Sequence, residues 1–375
     1  MIIAVGKELK SKENRVAVTP DIVKKLSSSG LMIRVEKDAG LASGISNEDY
    51  EKAGAEIKND IKTLYEDADV ILKVNVLEKE LDKFIKNDAV IISHMNALND
   101  KIRVKELSQK FTYFAMEMMP RISRAQSMDI LSSMSNLSGY KAVIEAVSHL
   151  KKAVPMMMTA AGTVAPARVL VLGAGVAGLQ AIATAKRLGA IVYASDVRPA
   201  VKEQIESLGG RFVEVAINES GEDDGGYAKE MSKEYLEKQS QAVHENLKKA
   251  DIAICTALIP GKPAPKLITK QMLIDMPNDS VVIDMACETG GNCFGSKLGE
   301  VVEVEGVKVI GFNDYPSKLA KDASKLYSKN IYNFISPFIK NGEIEFDMED
   351  ELVKGTMICK NGQVVHSLFK EFIND

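Results

Sequence analysis

RVLVLGAGVAGLQAIATAKRLGAIVYASD, residues Arg168 to Asp196, is the stretch from which the rest of the chain is read. It opens with an apolar run, passes through Gly173-x-Gly175-x-x-Gly178, continues as an alanine-rich stretch and closes on a second apolar run ending in Asp196. A strand–turn–helix–strand unit with this glycine spacing suits a dinucleotide for physical reasons. Gly173 makes the tight turn, Gly175 lets a pyrophosphate approach the backbone, and Gly178 allows helix and strand to pack closely. The helix start then offers free N–H groups and the positive end of its dipole to the phosphates. Ala174, Val176 and Ala177 complete that turn. Asp196, 18 residues after the third glycine, is placed to accept hydrogen bonds from the adenosine ribose hydroxyls. Its charge would repel a 2′-phosphate, which favours NAD(H) over NADP(H). Val197 and Arg198 follow in the same turn, and an arginine there can also receive that phosphate.

Around this unit the chain alternates apolar runs with amphipathic segments. RVLVLG, AIVYASD, RFVEV, DIAICT, SVVIDM and VKVIGF read as six strands of one α/β domain, residues 136–315. Upstream, MIIAVG, MIRVEK, VILKVN, AVIISHM and FTYFAM read as strands of another. TPDIVKKLSSSG reads as a helix there, with Thr19 as N-cap, Pro20 at the first turn and Gly30 as the stop. Between Ile130 and Leu150 apolar residues recur at helical spacing, as in a long helix bridging two domains. From Pro316 the tail is helical at first and then polar, and such a tail often packs back onto the first domain. The expected architecture is therefore α/β: two Rossmann-like domains with parallel sheets, joined by a long helix, with a cleft between them. Residues 1–135 plus 316–375 form the flavodoxin- or Rossmann-like N-terminal domain, and residues 136–315 the NAD(H)-binding one.

Three loops of the second domain carry further candidates, and the one in IDMACETGGNCF lies at the carboxyl edge where open α/β sheets bind ligands. CTALIPGKPAPKLIT follows a strand and reads either as a cover over the cofactor, bringing Thr256, Ala257 and Leu258 to it, or as an ordinary surface loop. IDMACETGGNCF ends a strand in an acidic, glycine-rich turn. ESGEDDGGYAKEMSKEYLEKQ reads either as a mobile loop able to close Tyr227 and Met231 on a nucleotide or as a solvated insertion.

Composition narrows the class. The 375 residues are 46% hydrophobic and 27% charged, with a net charge of −4 of mixed sign, so nothing favours nucleic acid as a partner. The 4 cysteines have no CxxC spacing, which argues against a zinc site or disulfide framework and fits a reducing compartment. MIIAVGKE lacks the pattern of a signal peptide, and no run approaches 18 uninterrupted apolar residues, so a soluble cytosolic polypeptide is expected. That leaves room for a membrane-bound partner.

A dehydrogenase needs a second group of residues opposite the nucleotide. Arg15 and Lys73 can hold a carboxylate and His94 can act as acid or base. Each also has a plainer reading: a turn salt bridge, a solvated strand end and a satisfied core histidine. PRISRAQSMDILSSMSN, residues Pro120 to Asn136, is the stronger candidate, at the junction of the two domains. Arg121 and Asp129 can pair across a loop and hold the guanidinium fork toward a carboxamide. Gln126 can bridge two ligands through hydrogen bonds but cannot shuttle a proton. The stretch has no convincing proton acceptor. Oxidising an alcohol or amine needs one; exchanging hydride between two nicotinamides does not.

Nearly the whole chain resembles the NAD(H)-binding component (domain I) of proton-translocating nicotinamide nucleotide transhydrogenase, and more distantly alanine dehydrogenase. KELKSKENRVAVTP, ADVILKVN and GAGVAGLQAIATAKRLGAIVYASDVRP are shared with both. MMPRISRAQSMDILSSMSNLSGYKAV, GGYAKEMSKEYLEKQ and ALIPGKPAPKLIT resemble the transhydrogenase alone. The resemblance implies that Arg121 contacts the nicotinamide carboxamide, with Asp129 orienting it and Ser132 nearby. It also implies that Gln126 reaches toward the nicotinamide ribose and the NADP(H) of a partner, and that Tyr227 belongs to a loop folding over NAD(H). The implied reaction is direct hydride transfer between NAD(H) here and NADP(H) on a partner subunit, coupled to proton movement through a membrane-spanning subunit. A homodimer, cytoplasmic and peripheral to the inner membrane, is implied with it. Arg15, Lys73 and His94 match substrate-binding and catalytic positions of alanine dehydrogenase. Against that enzyme, Glu288 in CETGG stands where it has an aspartate in an IDQGG-like turn. A third reading is an NAD(H)-sensing module without catalysis.

Overall fold

The computed structural model describes residues 1–215, 232–259 and 261–373. The chain divides into two compact units, Met1–Met134 with Pro316–Asp375, and Ser135–Tyr315.

The first unit begins with six parallel strands: β1 (Ile2–Val5), β2 (Met32–Glu36), β3 (Ala55–Lys58), β4 (Val70–Leu72), β5 (Val90–Ser93) and β6 (Thr112–Ala115). Their spatial order is β3-β2-β1-β4-β5-β6, so the winding reverses between β1 and β4. Strand β3, AEIK, has too little apolar character to be recognised from its residues; it exists because β2 offers it an edge, with Ile33 opposite Ala55. Helix Pro20–Ser28 ends as its sequence predicts, with Gly30 at φ 86° beyond its C-cap. Thr19 sits at the N-cap without capping through its side chain. Its hydroxyl is taken instead by Asp21, at 2.5 Å, and Ser328.

In the second unit the first strands form an exposed hairpin, β7 (Met157–Thr159) and β8 (Gly162–Val164), where no strand is expected. Next come β9 (Arg168–Leu172), β10 (Ile191–Ser195), β11 (Arg211–Phe212), β12 (Ile252–Cys255), β13 (Val281–Asp284), β14 (Val301–Val304) and β15 (Val307–Ile310), in the spatial order β11-β10-β9-β12-β13-β15-β14. All pairs are parallel except β14–β15, so the expected all-parallel sheet carries an antiparallel edge. RFVEV is extended only over Arg211–Phe212. The central strands β9, β12 and β13 are buried on both faces, which is why they read as continuous apolar runs. Successive residues feed opposite layers: Val169, Val171, Ile252 and Ile254 pack on one side, Leu170, Leu172, Ala253 and Cys255 on the other.

The tail belongs to the first unit and is not only helical. After helix Ala320–Ile335 it forms β16 (Ile339–Lys340) and β17 (Glu343–Ile344), and then β18 (Met357–Lys360) and β19 (Gln363–Val364). Strand β18 pairs antiparallel with β6, extending the first sheet to 8 strands. Phe334 and Phe346 of the tail seat against Phe114 of β6, with ring centroids 5.5 and 4.4 Å away. The long helix is Ile130–His149, and the boundary between the units falls inside it. No helix among the described residues is long and apolar enough to cross a membrane.

Candidate functional site

The glycine turn owes its place to sheet topology. In the second unit the strand order reverses between β9 and β12, and the carboxyl ends of β9, β10 and β12 lie side by side. Leu172 stands opposite both Ser195 and Cys255. At such a switch point adjacent loops leave in opposite directions and open a crevice. The Gly173 N–H donates to Ser195 O at 2.9 Å, and the Thr256 N–H donates to Leu172 O at 2.8 Å. The Thr256 hydroxyl donates to Gly173 O at 2.9 Å. The loop after β12 therefore starts against the glycine turn.

Each glycine meets a distinct constraint. Gly173 has φ 99°, and a Cβ there would lie 2.7 Å from the Thr256 hydroxyl. A Cβ on Gly178 would lie 1.9 Å from Gly173 O, so helix Val176–Arg187 crosses strand β9 at a distance only glycine allows. A Cβ on Gly175 would meet nothing within 4 Å. Gly175 N-caps the helix with no side-chain acceptor for the first amides, and Gly175 and Val176 are exposed. This open cradle of orphan amides at a helix N-terminus fits a diphosphate. The same helix is held from behind by Gly139 of the long helix, where a Cβ would lie 2.1 Å from Ala177 O.

Asp196 follows β10 and is buried. Its Oδ2 accepts from the Ala174 N–H at 2.7 Å, tying the carboxylate to the glycine turn. Rather than standing open for a ribose, it is also paired with Arg198, whose Nη2 lies 2.9 Å from Oδ2. Val197 lies between them, half-buried.

Two residues that the sequence reading did not single out build the rest of this edge. Asn292 is wholly buried, and its Nδ2 donates to Ala257 O at 2.9 Å and Pro265 O at 2.8 Å. It pins the loop carrying Thr256, Ala257 and Leu258 to the turn after β13, while Leu258 stays exposed. Asp284, also wholly buried, shapes that turn by accepting from the Ala286 N–H, the Cys293 N–H at 2.9 Å and the Ser296 hydroxyl at 2.7 Å. The only hint in the sequence is that polar residues interrupt a run otherwise fit for a buried strand end. Glu288 accepts from Asn313 Nδ2. Tyr227 and Met231 lie outside the described residues.

In the first unit, the segment after β6 forms a short 3-10 turn, Ser123–Met128, seated by buried Ala125 and Met128. The tail holds it: Asn330 and Asn333 each donate to Ser127 O at 2.9 Å. Arg124 makes a two-point pair with Asp350, at 2.9 and 2.7 Å, and thereby holds Asp350 below the usual carboxylate range. That pairing gives Arg124 a structural part. Arg121 and Gln126 are displayed on the exposed side. Asp129 is engaged by Ser132. Its Oδ1 accepts the Ser132 N–H at 2.9 Å and its Oδ2 the Ser132 hydroxyl at 2.5 Å, the bonds that cap the start of the long helix. The cap forms because the first-turn amides need acceptors and Asp129 is the residue adjoining them.

At the reversal between β1 and β4 the first unit gathers charge. Lys73 is fully buried, not a solvated strand end. Its Nζ donates to Lys7 O at 2.9 Å and lies 2.8 Å from Glu78 and 3.8 Å from Glu8. The Glu8 carboxylate accepts the Val74 N–H at 2.7 Å, and burial nevertheless pushes its pKa up. Arg15 is the turn ion pair: Nε and Nη2 grip Glu13 at 2.8 and 2.6 Å. Glu13 is held below its ordinary pKa by that guanidinium against the opposing effect of burial. His94 is half-buried, and its backbone N–H donates to Val74 O at 3.3 Å.

A glycine turn at the switch point of a doubly wound sheet, with an acid at the end of the next strand, defines a Rossmann-type dinucleotide-fold protein. Residues 4–138 match the description "Alanine dehydrogenase/PNT, N-terminal domain" and residues 142–367 match "Alanine dehydrogenase/PNT, C-terminal domain"; the chain belongs to this family. It is 50% identical to an NAD(P) transhydrogenase subunit alpha chain of Rhodospirillum rubrum over 376 residues, covering 98% of each chain. It is 31% identical to alanine dehydrogenase of Bacillus subtilis over 295 residues, covering 78% of this chain and 72% of that one. Among solved structures, transhydrogenase from Sinorhizobium meliloti superposes with a TM-score of 0.89 at 46% identity, covering 97% of this chain and all of that one. An L-alanine dehydrogenase shares the fold, with a TM-score of 0.82 at 22% identity.

Proposed function

We propose that this chain is the NAD(H)-binding subunit of a proton-translocating nicotinamide nucleotide transhydrogenase. The observation that carries this reading is the contrast between two switch points of the same topology. In the second unit the crevice is an open backbone cradle, with nothing within 4 Å of the Gly175 Cβ position. In the first, both cations that would hold a carboxylate substrate are already engaged by carboxylates of the chain. Releasing Arg15 from Glu13 would leave a charge uncompensated in a largely buried site, which costs several kcal/mol. A nucleotide is therefore favoured, and an amino acid is disfavoured. The strong sequence identity with transhydrogenase alpha subunits supports the same choice.

Bound nicotinamide would supply the hydride, passed to or taken from NADP(H) on a partner subunit. The residues of this chain position it. Amides at the start of helix Val176–Arg187 hold the diphosphate, together with the Gly173 to Gly178 turn; Asp196 takes the adenosine ribose; Thr256, Ala257 and Leu258 flank the dinucleotide. Arg121 is assigned to the nicotinamide carboxamide and Gln126 to the bridge between the two nucleotides. Asp129 and Ser132 act through the helix cap that fixes the end of that loop, and Tyr227 is assigned to closing over the nucleotide. With no general base required, alignment of donor and acceptor carbons provides the rate enhancement. The partners are an NADP(H)-binding subunit and a membrane-spanning subunit, with this chain on the cytoplasmic face. The exposed hairpin, with Met158 80% accessible, supports self-association as a homodimer.

The test is to mix the purified chain with a transhydrogenase NADP(H)-binding component and follow hydride exchange, then to supply alanine and NAD separately. Exchange without alanine oxidation is expected. Alanine-dependent NADH formation at a useful rate would overturn the reading, and NADH binding without either reaction would indicate a sensor. Within the reading, Gln126→Asn should slow hydride transfer far more than it weakens NADH binding; equal losses would refute the bridging role.

A further inference from the structure

The Asp196 carboxylate has no acceptor capacity left. Its Oδ1 accepts from the Arg198 backbone N–H and from Arg198 Nε, both at 2.9 Å. Its Oδ2 accepts from Arg198 Nη2 at 2.9 Å and from the Ala174 N–H at 2.7 Å. A carboxylate offers about four lone-pair positions, and these four donors fill them. Both side chains are largely shielded, at 18% exposure for Arg198 and 6% for Asp196. An adenosine ribose can reach Asp196 only by displacing the guanidinium.

We propose that Arg198 is a specificity-determining clasp that competes with the ribose for Asp196, so that only a ligand with two free hydroxyls opens it. The inference rests on the nucleotide reading above. The vicinal diol of an unphosphorylated ribose brings two O–H donors, which replace the two side-chain N–H donors and leave the carboxylate satisfied. The backbone donors of Arg198 and Ala174 stay in place, because moving them would require the turn itself to rearrange. A ribose 2′-phosphate brings no donor at that position and adds like charge beside Asp196, so it cannot take over the guanidinium's role. Nor does the clasped arginine present a free cation to that phosphate, since its fork is already occupied by a carboxylate. The clasp thus resolves a conflict in the sequence, where the acid favours NAD(H) and the arginine two residues later suggests NADP(H).

The experiment measures NADH and NADPH binding to the full chain by nucleotide fluorescence, with melting temperature as the folding control. Arg198→Lys keeps the charge and loses the planar fork; Arg198→Gln loses both. Removing the competing fork is expected to tighten NADH binding about three- to tenfold in both variants. NADPH binding should fall several-fold in Arg198→Gln, where the Asp196 charge stands uncompensated, and change little in Arg198→Lys. Asp196→Asn should narrow the preference for NADH. NADH binding that is unchanged or weaker in both arginine variants would overturn the clasp while leaving the nucleotide reading intact. The expected binding shifts without hydride exchange would uphold the clasp and refute the transhydrogenase reading, and absence of NADH binding in every variant would overturn both.

Discussion

Gly175 and Gly178 stand three residues apart in one motif, yet the structure predicts opposite consequences for replacing them. A Cβ at Gly178 would lie 1.9 Å from Gly173 O and 2.9 Å from Gly173 C, both backbone atoms that cannot rotate away. Restoring contact to the 3.0 Å that real Cβ atoms respect needs the helix to lift off strand β9 by about 1 Å, disturbing a packed core. Overpacking of this kind costs about 1–3 kcal/mol, and here the upper end applies because the opposing atoms are main-chain. For a unit of this size Gly178→Ala should lower the melting temperature by roughly 5–10 °C. At Gly175 the backbone is extended, with φ −74° and ψ −168°, a conformation alanine adopts freely, and the added methyl meets no protein atom. Its stability change should stay within about 1 kcal/mol, because a weaker N-cap is offset by a less flexible unfolded chain. The methyl would nevertheless occupy the space where a diphosphate must approach the amides. Losing charge-assisted hydrogen bonds there costs about 1.5–3 kcal/mol, or about a ten- to hundredfold rise in the NADH dissociation constant. Calorimetry of both variants, paired with NADH titration, checks the pair. Unchanged NADH affinity in Gly175→Ala would show that the nucleotide does not lie against this turn, and an unchanged melting temperature in Gly178→Ala would refute the close-packing argument.

Asn292→Ala removes the donor to Ala257 O and Pro265 O and leaves two carbonyls without it, so the loop after β12 should loosen at a cost of about 1–3 kcal/mol. NADH titration and limited proteolysis between residues 256 and 268 report the two effects, and unaltered cleavage would contradict the pinning role. His366 is buried with its pKa held below 6.5, so the folded state favours the neutral ring. Its contribution to stability is therefore present above pH 6.5 and lost as pH falls through the lowered value. Melting temperatures across pH 7.5 to 5 should fall less steeply for His366→Gln than for the wild-type chain; parallel profiles would exclude His366 as the titrating group.

The nucleotide unit was the more legible half because its determinants are local. Gly173, Gly175, Gly178 and Asp196 sit within one β–α–β stretch, and their spacing alone dictates a turn, a close crossing and an acid at the next strand end. The doubly apolar runs of β9, β12 and β13 were equally plain, because strands buried on both faces are apolar except at their ends, where Arg168 and Asp284 stand. Strands β3 and β14 were missed for the converse reason: each is a partly polar edge whose extended state depends on a neighbour. The tail strand β18 depends in the same way on β6, more than 240 residues away in sequence, and β19 depends on β18.

What the sequence determined by itself, then, is the set of short-range constraints: period-2 and helical patterning, the glycine turn, the long helix and the family resemblance. Which polar groups face one another was decided only by tertiary structure. Arg15, Lys73 and Asp196 were each candidates to meet a ligand, yet Glu13, Glu78 and Arg198 pair with them. A charged side chain in a largely buried place must find its partner within a few ångströms or bear the full cost of desolvation. Whether the chain itself supplies that partner is a matter of spatial neighbours, which residue types and spacings do not encode.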